Sequence, residues 1–284
     1  MLLIIGFFVV FASLYVGYTM HGGSIAVLIQ ISEFIIIGGA GIGALLIGNS
    51  LTTVKHIITD CLALLKADPY GREANAELLK VLYELFYVAR RDGLIGIEEH
   101  VEQPETSDLF RKYPTFANNH HAVDFLSDTM KVLLTGTVAD HHLAEILDLD
   151  LEQFEDEAMH VPHAVQVVGD AMPGFGIVAA VLGVIITMGK IGGEPAVIGE
   201  SVAAALVGTF LGVLLAYAVF GPVAQQLEGR VRSETDYLRV IRTALLAFAR
   251  GDAPLTCIEF ARRSIAPEVR PSFAEVEEMT TAGV

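Results

Sequence analysis

Apolar residues in this chain fall into four long blocks separated by charged or amphipathic stretches, and that segmentation predicts the main elements. Met1 to Met20 is one uncharged run. It lacks the basic region that opens a signal peptide, so it reads as a retained first membrane helix. Ser24 to Val54 is the second block, interrupted by one carboxylate, Glu33, and closed by Lys55. Because a carboxylate in mid-bilayer is costly, the span is placed from Phe34 to Val54 with Glu33 at its outer mouth. Ala171 to Met188 and Ser201 to Phe220 are the third and fourth blocks, each near the roughly 20 residues that a helix needs to cross a bilayer. A turn carrying Lys190, Glu194 and Glu200 joins them into a hairpin, with Pro173 and Pro222 near its far ends. Neither run holds an Asp, Glu, Lys, Arg or His.

Between the second and third blocks the pattern changes to amphipathic helix. Leu78, Leu79, Leu82, Leu85, Phe86 and Ala89 share one face, and Gly93 supplies a stop. A second helix is predicted from His120 to Leu134, with Val123, Leu126, Met130 and Leu133 inward. A third starts near Asp140, with Leu143, Ile146 and Leu147 as its apolar stripe, and Pro162 should interrupt or kink it. Val223 to Arg250 continues the fourth span, and a short helix from Leu255 to Ile265 precedes a polar tail. No alternating strand pattern of useful length appears. The expected fold is all-α: a polytopic membrane protein with four transmembrane helices and a helical cytoplasmic domain. Its divisions are 1–54 for the first two spans, 55–168 for the soluble loop domain, 169–222 for the hairpin and 223–284 for the C-terminal helices and tail.

Composition fits a chain built for two solvents: 53% hydrophobic residues alongside 34 acidic and 18 basic ones. The net charge of -16 excludes nucleic acid, whose binding depends on clustered Lys and Arg. Basic residues follow the second span (Lys55, Lys66, Arg72) and the fourth (Arg230, Arg232, Arg239), whereas the two short turns hold only Lys190. That asymmetry puts both termini and the large loop in the cytoplasm, where Cys61 and Cys257 are expected to stay reduced.

Sites for chemistry are scarce. Gly39, Gly41 and Ala44, with Asp60 farther on, imitate a dinucleotide fingerprint, but the segment stays apolar through Ile47. Small residues four apart, Gly39 with Gly43 and Ala44 with Gly48, fit close packing of membrane helices better. The histidine pairs lack the spacing that aims two imidazoles at one metal, so no metal site is expected. Nucleophile-elbow and P-loop motifs are missing, so neither an enzyme nor a cofactor is expected.

An ion path needs an ionisable group, and the hairpin has none in its core, so the carrier must come from elsewhere, most simply another chain. Thr209 is the best hydroxylic lining residue and Thr187 the second; the alternative is that Thr209 bonds back to a carbonyl one turn earlier. Gly208 and Gly212, with Gly176, Ala179, Ala180 and Gly183, make faces that a helix can approach closely, whether from a partner or from this chain's own spans.

Ala205 to Pro222, ALVGTFLGVLLAYAVFGP, with GGAGIGALLIGN from Gly38, PGFGIVAAVLGV from Pro173 and RPSFAE from Arg270, resembles the MotA/TolQ/ExbB family, specifically its flagellar stator branch. The resemblance implies a bacterial inner-membrane subunit that self-associates in a ring, about five copies around two MotB chains. A MotB-like single-span partner would carry a protonatable Asp, and the third and fourth helices of this chain would line the path. It further implies coupling roles for Pro173 and Pro222, and contacts from Arg90 and Glu98 to the rotor protein FliG. Sodium-driven relatives carry Thr at the positions matching Ala180 and Thr209; this chain has only the second, which implies a proton current. Two readings compete with the stator: a TolQ/ExbB-type energiser of the outer membrane, and a passive membrane scaffold.

Overall fold

The structure is a computed structural model that describes residues 2–136 and 140–281. Its α-helices, in chain order, are α1 Leu2–Met20, α2 Ile25–Leu28, α3 Ile31–Gly48, α4 Leu51–Ala63, α5 Arg72–Asp92, α6 Glu98–Glu102, α7 Asp108–Arg111, α8 Pro114–Ala117, α9 His120–Leu134, α10 Asp140–Met188, α11 Pro195–Leu214, α12 Gly221–Ala249, α13 Pro254–Ser264 and α14 Phe273–Thr281. No strand occurs among the described residues. Four helical stretches are long and apolar enough to span a membrane: Leu2–Met20, Ile25–Gly48, His141–Met188 and Pro195–Ala249.

Two compact units divide the chain, one of residues 1–67 and 158–229, the other of 68–157 and 230–284. In the first, α1 is apolar all round and buries none of its side chains, as expected of a helix whose solvent is lipid. The second apolar block departs from expectation at both ends. It starts at Ile25, not Phe34, and the helix breaks at Ile29 and Gln30. It ends at Gly48 because Asn49 turns extended, and Ser50 then caps a new helix by accepting the Thr53 amide N–H at 3.1 Å. Lys55 therefore lies in α4 and does not close the span.

α10 is a single 49-residue helix that runs through both Pro162 and Pro173. The expected interruption at Pro162 does not occur. Val161, Ala164 and Val165 around it pack with Ile57, Ala224 and Leu227, so burial on both sides outweighs one missing backbone bond. Between α11 and α12, residues Leu215–Phe220 form a π turn in which the Gly221 amide donates to the Ala216 carbonyl. Pro222 explains it: the residue has no N–H, and its ring crowds the carbonyl four residues earlier, so the turn widens by one residue.

The second unit is an all-helical globule. The stripe on α5 is buried as expected, against Leu126 and Met130 of α9, Leu143 and Leu147 of α10, Ile241 and Leu245 of α12 and Ile258 of α13. Phe86 stacks on Phe248 at 4.5 Å between centroids, and Gly93, at φ 78°, ends α5 where most side chains would be strained. Ile146 departs from the predicted stripe and is 50% exposed; with Leu143, Leu147 and Leu151 buried, it falls about 100° off their common face. The polar tail also differs, since it folds into α14 with Val276 buried.

His121 of α9 lies 3.0 Å from a carboxylate oxygen of Glu234 on α12 and edge-on to Phe154. The Glu234 carboxylate raises the His121 pKa above its usual 6.5. The stabilisation is therefore complete below about pH 6.5 and lost as the pH rises through the raised folded value. His121→Gln should flatten the pH dependence of thermal unfolding across the neutral range, lowering stability on the acid side only. Scans of both proteins at several pH values check this.

Candidate functional site

The hairpin of α10 and α11 is held by helices that touch backbone to backbone. A Cβ on Gly212 would meet the Met172 carbonyl oxygen at 2.5 Å and the Gly176 Cα at 2.9 Å. One on Gly176 would meet the Gly208 carbonyl oxygen at 2.7 Å and the Thr209 Cα at 3.3 Å; one on Gly183 would meet Ala205. Glycine and alanine are what such contact demands. The small faces thus pack within this chain. Gly39, Gly43 and Gly48 on α3 meet no other helix of this chain; the α3 glycine that does so is Gly41, which abuts Met172 of α10.

Pro173, Ala180 and Thr209 line this seam, all half-buried. Pro173 follows Met172, whose carbonyl faces Gly212, and the Ala180 amide nitrogen lies 3.2 Å from the Cβ position of Gly208, next to Thr209. Thr187 is buried and donates to the Gly183 carbonyl at 2.8 Å. Among the described residues Thr209 makes no such bond, so its hydroxyl is available to a water or a partner. Pro222, half-buried, follows the π turn.

Glu33, expected at the outer mouth of its span, is enclosed by neighbouring helices. It is 4% exposed and packed between helices, with its Oε2 2.5 Å from the Cβ position of Gly208. Gly208 lies 13 residues into α11, about 20 Å from its start along the axis. The burial cost that keeps a carboxylate at the rim is that of an isolated helix, whereas neighbouring spans enclose this one. The available signal was the lone carboxylate inside an apolar run, which marks a functional position by default.

The expected rotor-facing residues lie in the second unit and are exposed. Arg90, in the last turn of α5, donates through one guanidinium nitrogen to the carbonyl oxygens of Gly251 and Asp252, just past the end of α12. Arg91 pairs with Asp92 at 2.7 Å and lies over the Tyr87 ring. Glu98 and Glu99 open α6 and make no ion pair among the described residues. No group of His, Cys, Asp and Glu suited to a metal ion occurs among the described residues.

Four apolar spans, two of them joined glycine to backbone beside an unengaged hydroxyl, define a helical membrane protein of the channel-subunit class. The chain belongs to the MotA/TolQ/ExbB proton channel family: residues 117–240 match that family's model and residues 4–93 match the model for the motility protein A N-terminal region. Motility protein A of Salmonella typhimurium is 34% identical over 99% of this chain and 96% of that protein. Chemotaxis protein LafT of Vibrio parahaemolyticus is 32% identical over 96% of each. The fold matches MotAB of C. jejuni, with a TM-score of 0.76, 22% identity and coverage of 95% of this chain and 98% of that one. It also matches the flagellar MotAB stator complex of Bacillus subtilis, with a TM-score of 0.70, 23% identity and coverage of 90% and 92%.

Substitutions at these contacts should separate seam from surface. Gly212→Val should overpack the seam by about 1–3 kcal/mol and lower the amount of folded chain in the membrane, whereas Gly39→Ala should be neutral; membrane levels and thermal stability in detergent compare them. Arg90→Ala should cost about 1–2 kcal/mol through its lost carbonyl partners, and Glu98→Ala within about 0.5 kcal/mol, as measured by unfolding of the solubilised chain.

Proposed function

We propose that this chain is the ion-channel subunit of a flagellar stator that couples inward proton flow to torque. The observation that carries the reading is the α10–α11 seam: glycine-packed, free of charge, with the Thr209 hydroxyl unengaged and a proline near each cytoplasmic end. Two spans that hold no titrating group of their own line a path but need a carrier from another helix. A MotB-like single-span partner with a membrane-embedded Asp fits that need, and the Bacillus subtilis protein whose fold this chain shares belongs to a MotAB stator complex. In this reading a ring of about five copies surrounds two such partners, Pro173 and Pro222 are the points where the spans bend as the partner's acid is loaded and emptied, and Thr209 orders the water beside it.

Ala180 in place of a second hydroxyl favours protons over sodium, because stripping water from sodium calls for several oxygen ligands. Both termini and the second unit face the cytoplasm by the distribution of Lys and Arg. Arg90 and Glu98 then meet the rotor protein FliG, with Glu98 and Glu99 the freer of the exposed charges. The outer-membrane energiser is not favoured, because the likeness to motility protein A runs the length of the chain.

Deleting the gene should abolish swimming and restoring it should recover it; intact motility in the deletion strain would sink the stator reading. Pro173→Ala and Thr209→Val should each reduce swimming speed by about tenfold or more with membrane levels unchanged, measured by tracking cells and blotting membranes. Wild-type torque in both variants would remove these positions from the path.

A further inference from the structure

The hairpin's spans carry no charge, but the span beside them brings one. Glu33 sits in the first turn of α3, just after the break at Ile29 and Gln30. The side chain enters the junction of three helices. Its Oε2 lies against Gly208 of α11, and Ala179 and Ala180 of α10 close the same point, with a Cβ on Gly208 3.1 Å from the Ala179 Cβ. That oxygen is buried, and among the described residues it has no hydrogen-bond partner. Among the described residues, α2 (Ile25–Leu28) and the stretches of α10 and α11 that meet it hold no titratable side chain; the Ser32 hydroxyl donates to the carboxylate, and Thr209 follows Gly208 in the chain.

A buried carboxyl with one oxygen unpartnered in an apolar span is expensive, and a glutamine or leucine would fill the space at lower cost. The fold also keeps the place open, since any side chain at position 208 would collide with Oε2. We propose that Glu33 is a protonatable station of the ion path, taking a proton on Oε2 from water entering on the outer side and releasing it through water near Thr209 to the carboxylate of the partner helix. The O–H bond formed at Glu33 on entry is the one broken on release, so the residue returns to its starting state each cycle. The proposal rests on the channel reading above and adds a second proton site, on this chain, to the one its partner would provide.

The test uses the full chain with its partner in native membranes. N,N′-Dicyclohexylcarbodiimide reacts with protonated carboxyls in apolar surroundings. Peptide mass spectrometry should find its adduct at Glu33, less of it as the pH of the reaction rises, and none in Glu33→Gln. In motile cells Glu33→Gln should lower swimming speed on the order of tenfold and flatten its dependence on external pH, and Glu33→Asp should partly restore both. The effect falls short of the roughly hundredfold or more that a positioned proton-transfer group can contribute, because water bridges part of the gap. A wild-type speed and pH profile in Glu33→Gln would overturn the proposal, as would the absence of any Glu33 adduct in wild-type membranes. The adduct also decides the matter if Glu33→Gln fails to accumulate. A wild-type chain that cannot restore swimming to the deletion strain would instead count against the stator reading and leave the adduct result standing.

Discussion

Everything in the membrane unit depends on the closeness of α10 and α11. Gly176, Gly208 and Gly212 let one backbone lie on the other, with the carbonyls of Met172 and Gly208 taking the places where Cβ atoms would be. Apolar side chains gain nothing by leaving lipid for protein, so the association of spans has to come from dispersion and shape. Small residues supply both. They also leave the outward faces to large apolar groups, such as Ile177, Val181 and Leu206, each more than half exposed, which gives each helix one side for its neighbour and one for lipid.

The same contact decides where chemistry can occur. A seam of glycine and alanine has no room for long side chains, so polarity reaches it as the short hydroxyl of Thr209 or from outside. Glu33 reaches it from α3 through the gap that Gly208 leaves. The charged residues of the second unit are tied down differently. Arg90 is exposed yet spends its guanidinium on the carbonyls beyond α12, so a change there alters the packing of α5 on its surroundings as well as any contact made outward.

Much of this was legible along the chain, because apolar periodicity and glycine spacing are local signals. The four spans, the face of α5 and the extent of α9 follow from them, and so does the use of Gly176, Gly208 and Gly212. The break at Asn49 was legible too, since Ser50 has the side chain of a helix cap. The burial of Glu33 was hidden because it depends on the room left by a glycine 175 positions away, a fact of packing that no local pattern carries. The partners of Arg90 are hidden for the same reason. Ile146 sits beside a stripe whose centre is fixed by Leu143, Leu147 and Leu151, so apolar character alone does not place it inside. Pro162 carries the local signal of a helix break, and burial on both sides overrides it.

The π turn at Leu215–Phe220 also sets register. An α-helix advances about 100° per residue, so in an unbroken helix Ala224 and Leu227 would point roughly 100° away from the face that buries Ala205, Gly208, Gly212 and Ala216. The extra residue in the widened turn subtracts about that angle, and Ala224 and Leu227 are buried. Pro222 thus works as a phase corrector: by forcing a single surplus residue into the turn before it, it keeps the helical stretches before and after the turn presenting the same side to their neighbours.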